Sequence, residues 1–186
     1  KLLTYNNYEK IFIYTNGTIV FKDEKMRVFQ NDKILFKISN YGSISRNVEK
    51  LETSLTNLGV QFITERVKTW QDCAKIEKYD RNEDLTKFIF GNCCENQGLT
   101  LLHGKLYTCP FSANATNLGA IPQKEKDIFE IHKDNSQNLK EGIKEFYFEK
   151  EYTSACNFCN GRDYNVGKVE AAVQTKNPMA FKKFTN

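Results

Sequence analysis

The apolar positions of this chain run first with a period of two and then with a helical period. Lys10-Ile11-Phe12-Ile13-Tyr14-Thr15 is a β-rich run that ends in Asn16-Gly17, a turn dipeptide. The charged stretch from Lys22 to Gln30 predicts one or two helical turns, and Ile34-Leu35-Phe36-Lys37-Ile38 a second strand closed by Ser39-Asn40-Tyr41-Gly42. Val48, Leu51, Leu55 and Leu58 recur at spacings of three, four and three, which makes one buried helical stripe. Ser45 is a suitable N-cap for that helix and Gly59 a suitable stop. Val60-Gln61-Phe62-Ile63-Thr64 then reads as a third strand. Strands alternating with helices imply parallel β-α units. Three such units neither close a barrel nor finish a doubly wound sheet, so a partner segment is expected.

After about Asp80 the pattern changes. Gly98 to Cys109 predicts a hairpin turning at His103-Gly104. A polar loop with Asn114, Asn117 and Gly119 follows, then two helices, near Lys124–His132 and near Gln137–Lys150. The second carries Leu139, Ile143 and Phe146 on one face. The segment from Tyr152 holds Cys156 and Cys159, then Gly161-Arg162-Asp163, and ends in a basic, weakly structured stretch.

Composition narrows the class without naming it. At 186 residues, 40% apolar and 27% charged, the chain is long enough for a substantial core and too apolar for disorder. Its net charge of +4 comes without a basic block, which disfavours nucleic acid as a partner. No apolar run approaches the length of a membrane span and no signal peptide opens the chain, so the expected place is the cytoplasm, away from membranes. Because the chain opens on Lys1 and goes almost straight into a strand, a portion of a longer protein is expected.

The cysteines carry the candidate chemistry. Cys94 is followed by nine residues, then Gly104, four more residues and Cys109, and later comes Cys156-Asn157-Phe158-Cys159. Glycine before the second cysteine suits a tight turn, and a two-residue gap lets two thiolates reach one metal site. Four thiolates satisfy either a [4Fe–4S] cluster or a structural zinc. The wide first pair tilts the choice toward a cluster, because zinc ribbons use two close knuckles. Disulfides or free thiols remain a third reading, weakened by the adjacent Cys93-Cys94 and the absent signal peptide. Either Cys93 or Cys94 suits the first ligand position, and Cys73 reads as a small buried apolar residue. His103 and His132 read as structural. Asp72, Glu77, Asp80, Glu83 and Asp84 read as a solvated acidic face beside Trp70. Arg162 suits a hydrogen bond near a negative site or a salt bridge. No nucleophile–base set, phosphate-binding glycine loop or H-E-x-x-H motif is present.

Ile11 to Gly17 resembles the "TNG" strand of a radical S-adenosylmethionine (radical SAM) barrel, and Ile38-Ser39-Asn40-Tyr41-Gly42 the strand that follows. Cys94…Gly104…Cys109 is similar to the opening of the SPASM and twitch auxiliary-cluster domains, with Cys156 and Cys159 as the completing pair. No cysteine follows Cys159, which matches the single-cluster twitch form. The C-x3-C-x2-C motif that holds the catalytic cluster in that family is absent. The resemblance therefore implies the C-terminal part of such an enzyme, α/β (a partial radical SAM β/α barrel) over residues 1–80. A small α+β cysteine-rich domain, built around one auxiliary [4Fe–4S] cluster on Cys94, Cys109, Cys156 and Cys159, would occupy 81–186. It implies that the parent binds S-adenosylmethionine and a second [4Fe–4S] cluster, with Ser39 and Arg46 as candidate contacts to S-adenosylmethionine. The parent would be an oxidoreductase acting on a small molecule or peptide, with a missing N-terminal half or a reductase as partner. Alone, the chain should cleave nothing. The competing reading is a non-catalytic zinc-stabilised binding module on the same four cysteines.

Overall fold

The computed structural model describes residues 2–131, 138–163, 165–177, 180 and 183–184. The protein is mixed α/β and divides into two compact units. The first comprises residues 1–70 and 170–174, the second 71–169 and 175–186. The division thus falls ten residues before the expected change near Asp80, and a short later segment returns to the first unit.

In the first unit, β1 (Ile11–Thr15), β2 (Ile34–Asn40) and β3 (Gln61–Arg66) form a sheet in the order β1-β2-β3, parallel throughout. A short helix α1 (Asp23–Met26) with a 3-10 turn at Arg27–Phe29 leads from β1 to β2, and α2 (Val48–Asn57) leads from β2 to β3. One face of the sheet presents Ile34, Phe36 and Ile38 to Val48, Leu51 and Leu55 of α2, with Met26 and Val60 completing the core. The period-three-and-four stripe places Val48, Leu51 and Leu55 there, and Leu58 packs at its edge. The opposite face stays open, with Phe12, Tyr14 and Ile63 each at least 47% exposed. Parallel sheets ordinarily bury both faces.

Two local features differ from the expected caps. Helix α2 starts at Val48 after Asn47, not at Ser45. The Ser45 hydroxyl instead accepts from the Tyr41 N–H (2.9 Å) and donates to the Ser39 carbonyl (3.3 Å), tying down the loop after β2. Gly17 has φ +67° and lies against α2, where a Cβ would come 2.4 Å from Val48 Cγ2, so the turn after β1 demands glycine.

The second unit is less regular. Its sheet runs β5 (Thr100–Leu102), β6 (Lys105–Tyr107), β7 (Ile128–Glu130), antiparallel in that order. The expected hairpin is present, with His103 (φ 50°) and Gly104 (φ 77°) in the primed-turn conformation that matches strand twist. Residues 124–131 are not an α-helix: a 3-10 turn at Glu125–Asp127 leads into β7, and His132 lies outside the described residues. Pairing with β6, distant in sequence, decides that segment over its local periodicity. The second expected helix is α5 (Leu139–Phe148); Gln137 lies outside the described residues.

Two helices were not anticipated. Helix α3 (Glu83–Gly91) is capped by Asn82, whose side-chain oxygen accepts from the Leu85 N–H, and Glu83 and Asp84 suit its positive end. Helix α4 (Pro110–Asn117) occupies what the composition suggested was a polar loop, with Pro110 in its first turn. Strands β4 (Thr69–Gln71) and β8 (Lys168–Glu170) form a separate two-stranded pair. Among the described residues, no helix is long and apolar enough to cross a membrane.

Candidate metal centre

Three segments of the second unit bring four cysteines to one cavity. Cys93 follows α3, Cys109 follows β6 and caps α4, and Cys156 and Cys159 lie on a 3-10 turn at Ser154–Phe158 and just beyond it. All four line one small cavity of about 30 Å³, whose wall also includes Ile89, Phe90, Glu95, Phe111, Thr153 and Ala155. All six cysteines of the chain are free thiols.

Cys94 departs from the expected ligand set. Its side chain is exposed and its thiol points to Glu95 Oε1, 4.0 Å away. Its backbone N–H donates to the Arg162 carbonyl (3.1 Å), which turns the preceding residue, Cys93, inward. Of the two adjacent cysteines, Cys93 is the one on the cavity wall.

The thiols sit among peptide donors. The Arg162 N–H donates to Cys93 Sγ at 3.2 Å, the Ser112 N–H to Cys109 Sγ at 3.3 Å, and the Gly161 N–H to Cys159 Sγ at 3.3 Å. Such bonds favour the thiolate. Gly161 has φ +77°, and a Cβ there would sit 3.0 Å from Ile89 Cγ2, so the chain must be glycine to place its N–H at the sulfur. Burial outweighs these donors. It pushes the Cys156 thiol up to about 12 and the Cys109 thiol up to about 11, and it raises Cys159 as well. Every pair among Cys93, Cys109, Cys156 and Cys159 repels when ionised, so four thiolates together demand a cation.

Positive charge is placed nearby. Arg81 acts on Cys159 and Lys150 on Cys109. The Lys150 ammonium is itself lowered by burial; it donates to the Gly98 carbonyl (3.1 Å) and lies 4.6 Å from the Tyr147 ring. Arg162 combines both expected roles. Its side chain pairs with Glu95 at 2.5 Å, and its backbone N–H serves Cys93.

Thr153 is fully buried on the cavity wall, and its hydroxyl has no hydrogen-bond partner among the described residues. Buried hydroxyls are ordinarily satisfied. An electron-rich sulfur or anionic group in the cavity would supply an acceptor. Among the described residues, no three His, Cys, Asp or Glu side chains converge closely enough to hold a metal ion as they stand.

Cys73 is not on the cavity wall but lies within electrostatic reach of Cys93 and Cys159. The chain after it is strained, with Ala74 (φ 56°) and Ile76 (φ 62°) in the left-handed region, and the Ala74 backbone acts on the Cys159 thiol. His103 stands exposed at the hairpin turn and does not reach the cavity. The acidic run is divided: Asp72 pairs with Lys75 at 2.7 Å and Glu83 with Lys87 at 2.9 Å. The residue that sequence reasoning overlooked is Arg81, whose partners are the carbonyls of Cys156 and Cys159 and the side-chain oxygen of Asn160, all far along the chain.

In the first unit, Arg46 lines an open groove of about 580 Å³ with Asn40, Glu49, Glu52 and Arg66, at the carboxyl ends of β2 and β3. Ser39 is half-buried within β2 and does not line it. No protein-family model matches the chain, and no curated protein matches it significantly.

Proposed function

We propose that the chain is the C-terminal portion of a radical SAM enzyme and holds one auxiliary [4Fe–4S] cluster on Cys93, Cys109, Cys156 and Cys159. The convergence of those four thiols on one apolar-walled cavity carries the reading. When bound, such a cluster supplies one-electron transfer at a potential set by its surroundings.

The chain's own residues fit that occupant in three respects. Backbone N–H groups of Gly161, Ser112 and Arg162 aim at the sulfurs and would stabilise them as thiolates. Ile89, Phe90 and Phe111 give the cavity an apolar wall. The orphan hydroxyl of Thr153 is a spare donor on the same wall.

The first unit suits a piece of a larger parallel sheet, since its open face carries Phe12, Tyr14 and Ile63. Ligands of such sheets bind at the carboxyl ends of the strands. There the groove of Arg46 and Arg66 is the candidate contact for S-adenosylmethionine, with Ser39 set back from it.

Anaerobic expression with iron and sulfide, then metal analysis and a visible spectrum, tests the proposal. About four irons per chain and a broad band near roughly 400 nm support it. One colourless zinc per chain overturns it in favour of the zinc-stabilised module.

A further inference from the structure

The Cys156–Cys159 turn is held from behind by one side chain. Arg81 Nη1 donates to the Cys156 carbonyl at 2.6 Å and to the Cys159 carbonyl at 2.7 Å, and Nη2 donates to Asn160 Oδ1 at 2.6 Å. The guanidinium lies 3.9 Å from the centroid of the Tyr79 ring, which fixes its plane. Neighbours of Arg81 hold the rest of the turn. The Tyr79 N–H donates to the Asn157 carbonyl at 2.8 Å, and the almost fully buried Thr86 hydroxyl lies 3.3 Å from Asn157 Oδ1. Phe158 is packed into the apolar cluster. Each residue of the turn is therefore anchored, and the two that carry thiols are anchored by the same nitrogen.

We infer that Arg81 is the positioning residue of the Cys-x-x-Cys half of the site: it fixes the carbonyls of Cys156 and Cys159 and thereby holds both thiols toward the cavity. Arginine suits this task because its flat fork can stack on a ring while donating several coplanar bonds, which a lysine ammonium cannot do. All three acceptors are neutral oxygens, so these bonds do not cancel the positive charge with a carboxylate. The charge is left to act on whatever negative site the thiols form.

The first test needs no metal. Reduced, metal-free protein is alkylated with iodoacetamide and each cysteine is followed by mass spectrometry in the wild type and in Arg81→Lys. The expected result is at least about a tenfold faster modification of Cys156 and Cys159 with Cys109 unchanged. Equal rates in the two proteins overturn the inference. Should Arg81→Lys lose its far-ultraviolet circular dichroism, Asn160→Ala decides instead. Selective acceleration of the pair upholds the inference, and either no acceleration or one that includes Cys109 overturns it.

The second test rests on the proposed cluster. In reconstituted protein, Arg81→Gln should move the reduction potential to a more negative value, because a positive charge that favours the reduced, more negative state is lost. An unchanged potential overturns the electrostatic part. Failure of the wild type to take up iron removes the cluster proposal and leaves the alkylation result standing.

Discussion

The two units solve the same stability problem by different means. The first buries a continuous set of large side chains (Met26, Ile34, Phe36, Ile38, Val48, Leu51, Leu55, Val60) between one sheet face and one helix. The second has a buried cluster of five residues, Ala115, Ala120, Ile121, Ala155 and Phe158, three of them alanines. Phe90, Leu106 and Tyr107 are buried in that unit as well but outside the cluster, so its apolar burial is divided rather than continuous. Beside it stand polar ties between distant segments, such as Arg81 to the Cys156–Cys159 turn and the buried Asp127 carboxylate to the backbone and hydroxyl of Ser154. Small domains with thin cores commonly rely on a covalent or metal cross-link. All six cysteines lie in that second unit.

The largest effect should come from removing a ligand. Cys93→Ala and Cys156→Ala are expected to abolish iron uptake, and Cys94→Ala to leave it intact, as read by metal analysis. In the loaded protein, a chelator should strip hydrogen-exchange protection from α4 and β6 while β2 and α2 keep theirs. Equal loss in both units would erase the contrast. Next in size is Leu55→Ala, at a fully buried position of α2. It should cost about 2–5 kcal/mol in urea unfolding of the first unit and leave iron uptake unchanged.

A third comparison uses pH on the metal-free protein. Burial holds Cys109 and Cys156 neutral up to about 11 and about 12, while an unfolded chain ionises its thiols near 9.0. Above that lower value the unfolded state binds fewer protons than the folded one, so stability falls as pH rises. The second unit should therefore lose stability between pH 9 and 12 on this account, with full stability below, in unfolding followed by circular dichroism. Ligand binding as thiolates would remove the effect. The smallest change is expected from Thr153→Val. It deletes a hydroxyl that has no partner among the described residues, so the metal-free protein should be unfolded at the same or slightly higher urea, within about 1 kcal/mol. A clear loss would show that the hydroxyl has a bonded partner.

The legible parts of the sequence were those governed by local periodicity. Strands β1 to β3 and helix α2 followed from alternation and from Val48, Leu51 and Leu55. The hairpin followed from its two turn residues, His103 and Gly104. Helix α4 was hidden because its residues are small and polar and its cap is a cysteine thiol, Cys109 accepting from the Ser112 N–H. Strand β7 was hidden because nothing local distinguishes Ile128-Phe129-Glu130 from a helical turn until β6 pairs with it. The cysteine spacing identified Cys109, Cys156 and Cys159 for the cavity but left the choice within Cys93-Cys94 open. A hydrogen bond from Cys94 to the Arg162 carbonyl, 68 positions away, decides which of the two turns inward. Arg81 was illegible for the same reason: two of its three acceptors are carbonyls 75 and 78 residues along the chain, and carbonyls carry no residue signature.

The β4–β8 pair closes a loop of chain that contains every cysteine. During synthesis, Glu170–Gln174 emerge about a hundred residues after Trp70, a delay of roughly 5–20 s at ordinary elongation rates. The first unit thus waits, one segment short, while the whole cysteine set leaves the ribosome. Cys156 and Cys159 are the last thiols to appear, and they precede the closing strand. Translation therefore delivers every cysteine before the strand that closes the loop around them.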